Sequence, residues 1–155
     1  MYRDQIMKIN WDSGAKLLLA LILILRCSSA SSAICTISTQ NINFGSYDVF
    51  NNSSTESTGN IIVSCDSVAN YTISLSKGSG TFLNRVLSFG SYLLSYNLYI
   101  DPARSNIWGD GSAGTLTVSS VTLTTINHVV YGRIPARQNA FPGNYMDNVN
   151  VTISF

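Results

Sequence analysis

The sequence predicts an all-β chain, an antiparallel β-sandwich of immunoglobulin-like type with one disulfide. Three observations carry that reading. Apolar residues alternate with polar ones over short runs, the pattern of strands that bury one face. Clusters of Gly, Pro, Asn and Asp punctuate those runs at short intervals. Cys35 and Cys65 form an even pair downstream of an export-type leader, where disulfides are the rule. No stretch after the leader shows helical periodicity with caps.

The leader comes first. Arg3, Lys8 and Lys16 precede an unbroken apolar run, Leu17 to Leu25. That run suits the core of a signal peptide, whereas a membrane span needs about 20 residues. Small residues follow from Ser28 to Ala33, and Ala30 and Ala33 each complete a small-x-small cleavage site. The expectation is a signal peptide over 1–33, cleaved after Ala33 or alternatively after Ala30, with Met1 and Met7 as competing starts. The mature domain, 34–155, is then not membrane-spanning. An uncleaved anchor is the alternative. A lipoprotein reading through Cys27 is disfavoured because Arg26, not a small residue, precedes it.

Removing the leader changes the charge. Residues 34–155 carry five bases (Lys77, Arg85, Arg104, Arg133 and Arg137) against six acids (Asp48, Glu56, Asp66, Asp101, Asp110 and Asp147). No basic stripe is left to track phosphates, so no nucleic-acid partner is expected. Ser, Thr and Asn are abundant, as on exposed strand faces, while the content of Val, Ile, Leu and Tyr is too high for a disordered chain.

The elements follow in order. Cys35 to Phe44 reads as a first strand region closed by Gly45, and Asn51 to Gly59 as a polar connection. Ile61, Val63 and Cys65 alternate in a second strand, and Tyr71, Ile73 and Leu75 in a third. Gly78 to Gly80 is a loop. Tyr92, Leu94, Tyr96, Leu98 and Ile100 form a long apolar face that ends at the Asp101-Pro102 turn. Gly109 to Ser112 is another turn. Leu116 and Val118 sit in a Thr/Ser-rich strand, Leu123 to Ile134 is a further strand stopped by Pro135, and Pro142 to Asn144 turns into the last strand, Tyr145 to Phe155. The total is six or seven main strands in one domain. The cysteine pair closes a loop of about 30 residues, which the chain-entropy model values at roughly 3–4 kcal/mol. A two-cysteine metal site would need further ligands, and His128 is the sole histidine.

Motifs for chemistry are weak. Gly109, Gly111 and Gly114 spell Gly-x-Gly-x-x-Gly, but a dinucleotide site needs a helix N-terminus directly after it, and strand-like Thr115 to Val118 follows. His128 lacks the surroundings of a catalytic base, and Asp101 and Asp110 fit turn aspartates better than a hydrolytic carboxylate pair. No catalytic residue and no cofactor is expected. Asn-x-Ser/Thr matches such as those at Asn52, Asn70 and Asn150 are expected by chance in so Ser/Thr/Asn-rich a chain.

The last strand is the sharpest feature. Val149, Val151, Ile153 and Phe155 share one face, and Asn148, Asn150, Thr152 and Ser154 the other. A strong strand with no turn and no partner after it leaves an open sheet edge, which natural proteins cover.

Several segments together carry a resemblance. Cys35 to Ser38 followed by Ile42 to Asp48, then Gly59 to Cys65, Leu94 to Asp101 with Ala103-Arg104, Trp108 to Gly111, Tyr131 to Pro135 and Gly143 to Asp147 resemble, in that order, the signatures of spore coat protein U domains. That family includes subunits of archaic chaperone–usher pili and secreted coat proteins. The resemblance implies an incomplete immunoglobulin-like fold lacking its final strand. It also implies partners: a periplasmic chaperone that lends a strand during export, an outer-membrane usher, and a neighbouring pilin subunit whose N-terminal extension replaces the lent strand. By the same resemblance Cys35 and Cys65 tie the first strand to the second, and Val149, Val151, Ile153 and Phe155 form one wall of the open groove. Closure of the groove by an N-terminal segment of the same chain is the alternative.

One departure from the pattern matters. Polymerising pilins carry an alternating donor segment before the first cysteine, and Ser28 to Ile34 is not one. The expectation is a terminal or tip-like subunit, or a coat protein outside a pilus. An adhesin or lectin-like tip domain is the second function class, with Tyr47, Tyr92, Tyr99 and Trp108 as either contact residues or packing residues.

Overall fold

The computed structural model describes residues 33–155, so the leader and Cys27 lie outside the described residues. Eight strands follow in chain order: β1 Cys35–Gln40, β2 Thr55–Cys65, β3 Ala69–Leu75, β4 Arg85–Phe89, β5 Tyr92–Tyr99, β6 Val118–Thr122, β7 Thr125–Ile134 and β8 Val151–Ser154. They form a five-stranded sheet in the order β1-β2-β7-β5-β4 and a three-stranded sheet in the order β6-β3-β8. Every ladder is antiparallel. The described chain is thus an all-β, immunoglobulin-like sandwich, and it carries the Cys35–Cys65 disulfide between directly opposed residues of β1 and β2.

Period-2 alternation sets the core. On β2 the Ile61, Val63 and Cys65 side chains are buried; on β3 it is Tyr71, Ile73 and Leu75; on β5 it is Leu94, Tyr96 and Leu98. Their neighbours in sequence point outward, as the pleat requires. Trp108 fills the space between the sheets, 1% exposed, and its indole N–H donates to the Ile73 carbonyl at 3.1 Å.

The strand boundaries differ from the sequence reading in four places. β1 stops at Gln40 rather than reaching Phe44. There the chain leaves the sheet edge and crosses the inner face of the large sheet, because that face is notched at Gly59 on β2 and Gly132 on β7. A Cβ at Gly59 would sit 2.7 Å from Ile42, and one at Gly132 would sit 2.7 Å from the Phe44 ring. Half of the expected Asn51–Gly59 connection, Thr55–Gly59, is strand, since it pairs with Tyr131 to Ile134 and Val130. β4 has no counterpart in the sequence reading, because the first of its inward residues, Arg85 and Leu87, is charged. The last strand pairs only over Val151–Ser154, where it meets β3, and earlier through an isolated bridge between Met146 and Ser88.

Candidate functional site

A cleft of about 1040 Å³ opens between two stretches of chain that have little strand pairing. One wall is Thr39 to Phe50, the end of β1 and the chain after it. The other is Ala140 to Val149 with Val151, which leads into β8. The floor is the inner face of the sandwich: Leu87, Leu94, Tyr96, Leu98, Val130 and Ile134.

The first wall is seated by side chains. Ile42 and Phe44 drop onto the glycine notches, and Phe44 meets the Tyr96 ring edge-on at 6.0 Å. Tyr47 anchors the far end, its hydroxyl donating to the Pro135 carbonyl and accepting from the Gln138 N–H, both at 2.8 Å. Between Asn41 and Phe50 the backbone makes a single backbone–backbone bond, from the Asn51 N–H to the Asp48 carbonyl at 3.2 Å. Side chains satisfy three more of its backbone groups: the Gly45 N–H donates to Asn43 Oδ1, the Phe50 N–H to Asp48 Oδ1, and the Asn43 carbonyl accepts from the Ser57 hydroxyl.

The second wall is held by Asp147. Its carboxylate accepts from the Ser79 N–H (3.0 Å), the Ser79 hydroxyl (2.8 Å), the Asn148 N–H (2.9 Å) and the Tyr96 hydroxyl (2.6 Å). Burial, reinforced by the bond to Asp147, pushes the Tyr96 phenol far above its ordinary range, so it stays a donor. Beside it lies Arg85, fully buried. Its guanidinium donates to the Ser76 carbonyl (2.8 and 3.1 Å), the Trp108 carbonyl (2.8 Å) and the Asn97 side-chain oxygen (2.6 Å). Burial lowers its pKa, while the fields of Tyr96 and Asp147 oppose that shift. These bonds tie three loops together under the cleft, and they replace the water that a buried cation loses.

Of the four residues the sequence places along the groove, Val149 and Val151 line the cleft. Ile153 packs half-buried against the core further along β8. Phe155 lies outside the cleft, 68% exposed, its ring 6.1 Å from that of Tyr71. β8 ends the small sheet: β3 pairs with one edge, and among the described residues no strand pairs with the other. The sequence reading did not find the opposite wall. Its signal was the pair of glycines inside otherwise regular strands, the mark of a close backbone approach.

The other singled-out residues have structural surroundings. Gly109 to Gly114 form a turn with a Thr115 N–H to Ser112 carbonyl bond, and no helix follows. Asp101 accepts from Ser105 and Asn106, and Asp110 from Ser112, each closing its own loop. His128 meets the Tyr71 hydroxyl across the sandwich at 2.8 Å, and burial lowers its pKa. Among the four candidate contact aromatics, Trp108 is core, Tyr47 and Tyr99 are half-buried, and Tyr92 is exposed.

An apolar cleft thus lies beside β8, whose second edge no described strand pairs with. The family is shown by sequence: the Spore Coat Protein U domain profile matches residues 22–152, and the chain belongs to that family. It is 34% identical over 128 residues to Protein U of Myxococcus xanthus, a match that spans 74% of this chain and 71% of that protein. Its fold is similar to a chain in the crystal structure of the CsuC-CsuE chaperone-tip adhesion subunit pre-assembly complex from archaic chaperone-usher Csu pili of Acinetobacter baumannii. The TM-score is 0.60 and the identity 23%, over 80% of this chain. The match spans 40% of that chain.

Proposed function

We propose that this chain is a structural subunit of a bacterial surface fibre or coat, completed by a strand from another polypeptide. In this reading residues 1–33 direct export and are removed, and the 34–155 domain is held by a periplasmic chaperone until an outer-membrane usher passes it to a neighbouring subunit. The observation that supports it most is the cleft itself. It offers an apolar floor and, among the described residues, an edge of β8 that no strand pairs with, the two things an added strand needs first. An alternating apolar segment lying there would bury its inward side chains at roughly 1.5–3 kcal/mol each. Val149 and Val151 form the wall that meets it, with Ile153 and Phe155 continuing the same face.

The test is a titration of the exported protein with a synthetic peptide of alternating apolar residues, followed by amide hydrogen exchange. Binding is expected to protect Asn148 to Ser154 and Ile42 to Tyr47, and Val151→Asp is expected to abolish it. A free chain that is monomeric, highly stable and indifferent to the peptide would sink the proposal.

A further inference from the structure

The inward row of the last segment is not uniformly apolar. Tyr145, Asp147, Val149 and Val151 are half-buried, their sequence neighbours Met146, Asn148 and Asn150 are exposed, and all four inward residues line the cleft. A carboxylate thus occupies the inward position next to Val149. Its two oxygens are unequally served. Oδ1 accepts three bonds, from the Ser79 N–H, the Ser79 hydroxyl and the Asn148 N–H. Oδ2 accepts one, from the Tyr96 hydroxyl at 2.6 Å. A carboxylate oxygen has room for two, so Oδ2 keeps an open acceptor position. The charge, by contrast, is already balanced. Both ion pairs among the described residues belong to Glu56, and Asp147 is the carboxylate whose field acts on buried Arg85. Carboxylate and guanidinium offset each other at longer range, so what Oδ2 lacks is a donor and not a cation.

We propose that the strand completing the cleft carries a hydroxyl side chain, threonine or serine, at the inward position beside Asp147, one inward step beyond the apolar side chains that face Val149 and Val151. The inference rests on the strand-acceptor reading of the cleft. Backbone bonding places the position. Met146 spends its backbone groups on Ser88, and Asn150 on Ser76. Asp147 and Val149 make no backbone–backbone bond among the described residues. An added strand takes its backbone bonds from these two, which sets its inward side chains beside theirs at a two-residue period. Once that strand covers the cleft, water no longer serves Oδ2, and a buried acceptor without a donor is costly. A hydroxyl fills the open position, and threonine also suits a strand. A lysine or arginine there would bury an unbalanced charge beside a pair that is already neutral.

Titration of the exported protein with alternating peptides that have three inward positions tests this. The parent peptide has valine at all three, and its variants have threonine at the first, the middle or the last. Threonine at one end is expected to tighten binding about tenfold, as for a hydrogen bond to a charged group. Threonine in the middle is expected to weaken binding, because it faces Val149. Which end gains reports the direction of the strand. Asp147→Asn separates recognition from support. A purely structural Asp147 changes the affinity of all four peptides alike, whereas the proposal expects the gain from the end threonine to shrink to about threefold or less, since a neutral acceptor is weaker. Tyr96→Phe removes the internal donor from Oδ2 and is expected to enlarge the gain, which keeps the test decisive where Asp147→Asn does not fold. No gain, an equal gain at both ends, or a gain unchanged in the variants overturns the proposal while binding of the parent peptide leaves the strand-acceptor reading standing. If no peptide binds, both fall.

Discussion

Gly59 and Gly132 matter for what they lack. Each leaves a gap on the inner face of the large sheet, and Ile42 and Phe44 fill those gaps, which turns the chain after β1 into a wall of the cleft. Gly132→Val forces the Phe44 ring away. It is expected to cost about 1–3 kcal/mol, the usual range for overpacking, read as a lower urea midpoint. Phe44→Ala in the same background is expected to cost less than it does alone, because the two sites couple. His128 makes a second residue-scale prediction. Burial holds its pKa below the ordinary 6.5, so the unfolded chain binds the proton more readily than the folded one. Its contribution to stability is then full above the unfolded value and is lost as pH falls through the lowered folded value. Urea midpoints measured at about pH 8 and about pH 5 are expected to differ less in His128→Gln than in the wild type.

At the scale of elements, the disulfide fastens an otherwise weak strand. β1 is an edge strand whose residues after Cys35 are exposed, and among the described residues it pairs with β2 alone. Cys35→Ala/Cys65→Ala is expected to cost about 3–4 kcal/mol by the loop-closure estimate, with amide protection lost first along β1 and the 41–50 wall. Much of this level was legible in the sequence. The alternation in β2, β3, β5 and β7 and the even cysteine pair predicted the sandwich and its bridge, because period-2 burial is a local property. β4 was not legible, since its buried Arg85 breaks the apolar rule that identifies strands. Phe155 keeps the parity of Val151 and Ile153 yet lies outside the cleft, because parity states which face a side chain takes and not how far the cleft extends.

For the whole molecule, the proposed completion of the cleft by another chain makes stability depend on that partner. A small domain has only about 5–15 kcal/mol in total, and an uncovered apolar cleft draws on it directly. An alternating peptide at about 100 times its Kd is expected to raise the unfolding free energy by about 2.7 kcal/mol. The midpoint shift in chemical denaturation measures it, and Val151→Asp is expected to abolish the shift. Buried Arg85 holds the Ser76 carbonyl, and half-buried Asp147 accepts from Ser79 and Tyr96, so side-chain bonds fasten the second wall to the loop at 76–79 and to β5.

The sequence by itself determined the all-β class, the disulfide and the inward face of each main strand, which follow from spacing and local pattern, and its ordered motifs carried the resemblance to the coat protein U family. Only the tertiary structure decided where the cleft lies and what forms its second wall. Those depend on which strands become neighbours: Gly59 and Gly132 come together only because β2 pairs with β7, a contact between residues far apart in the chain that no local periodicity encodes.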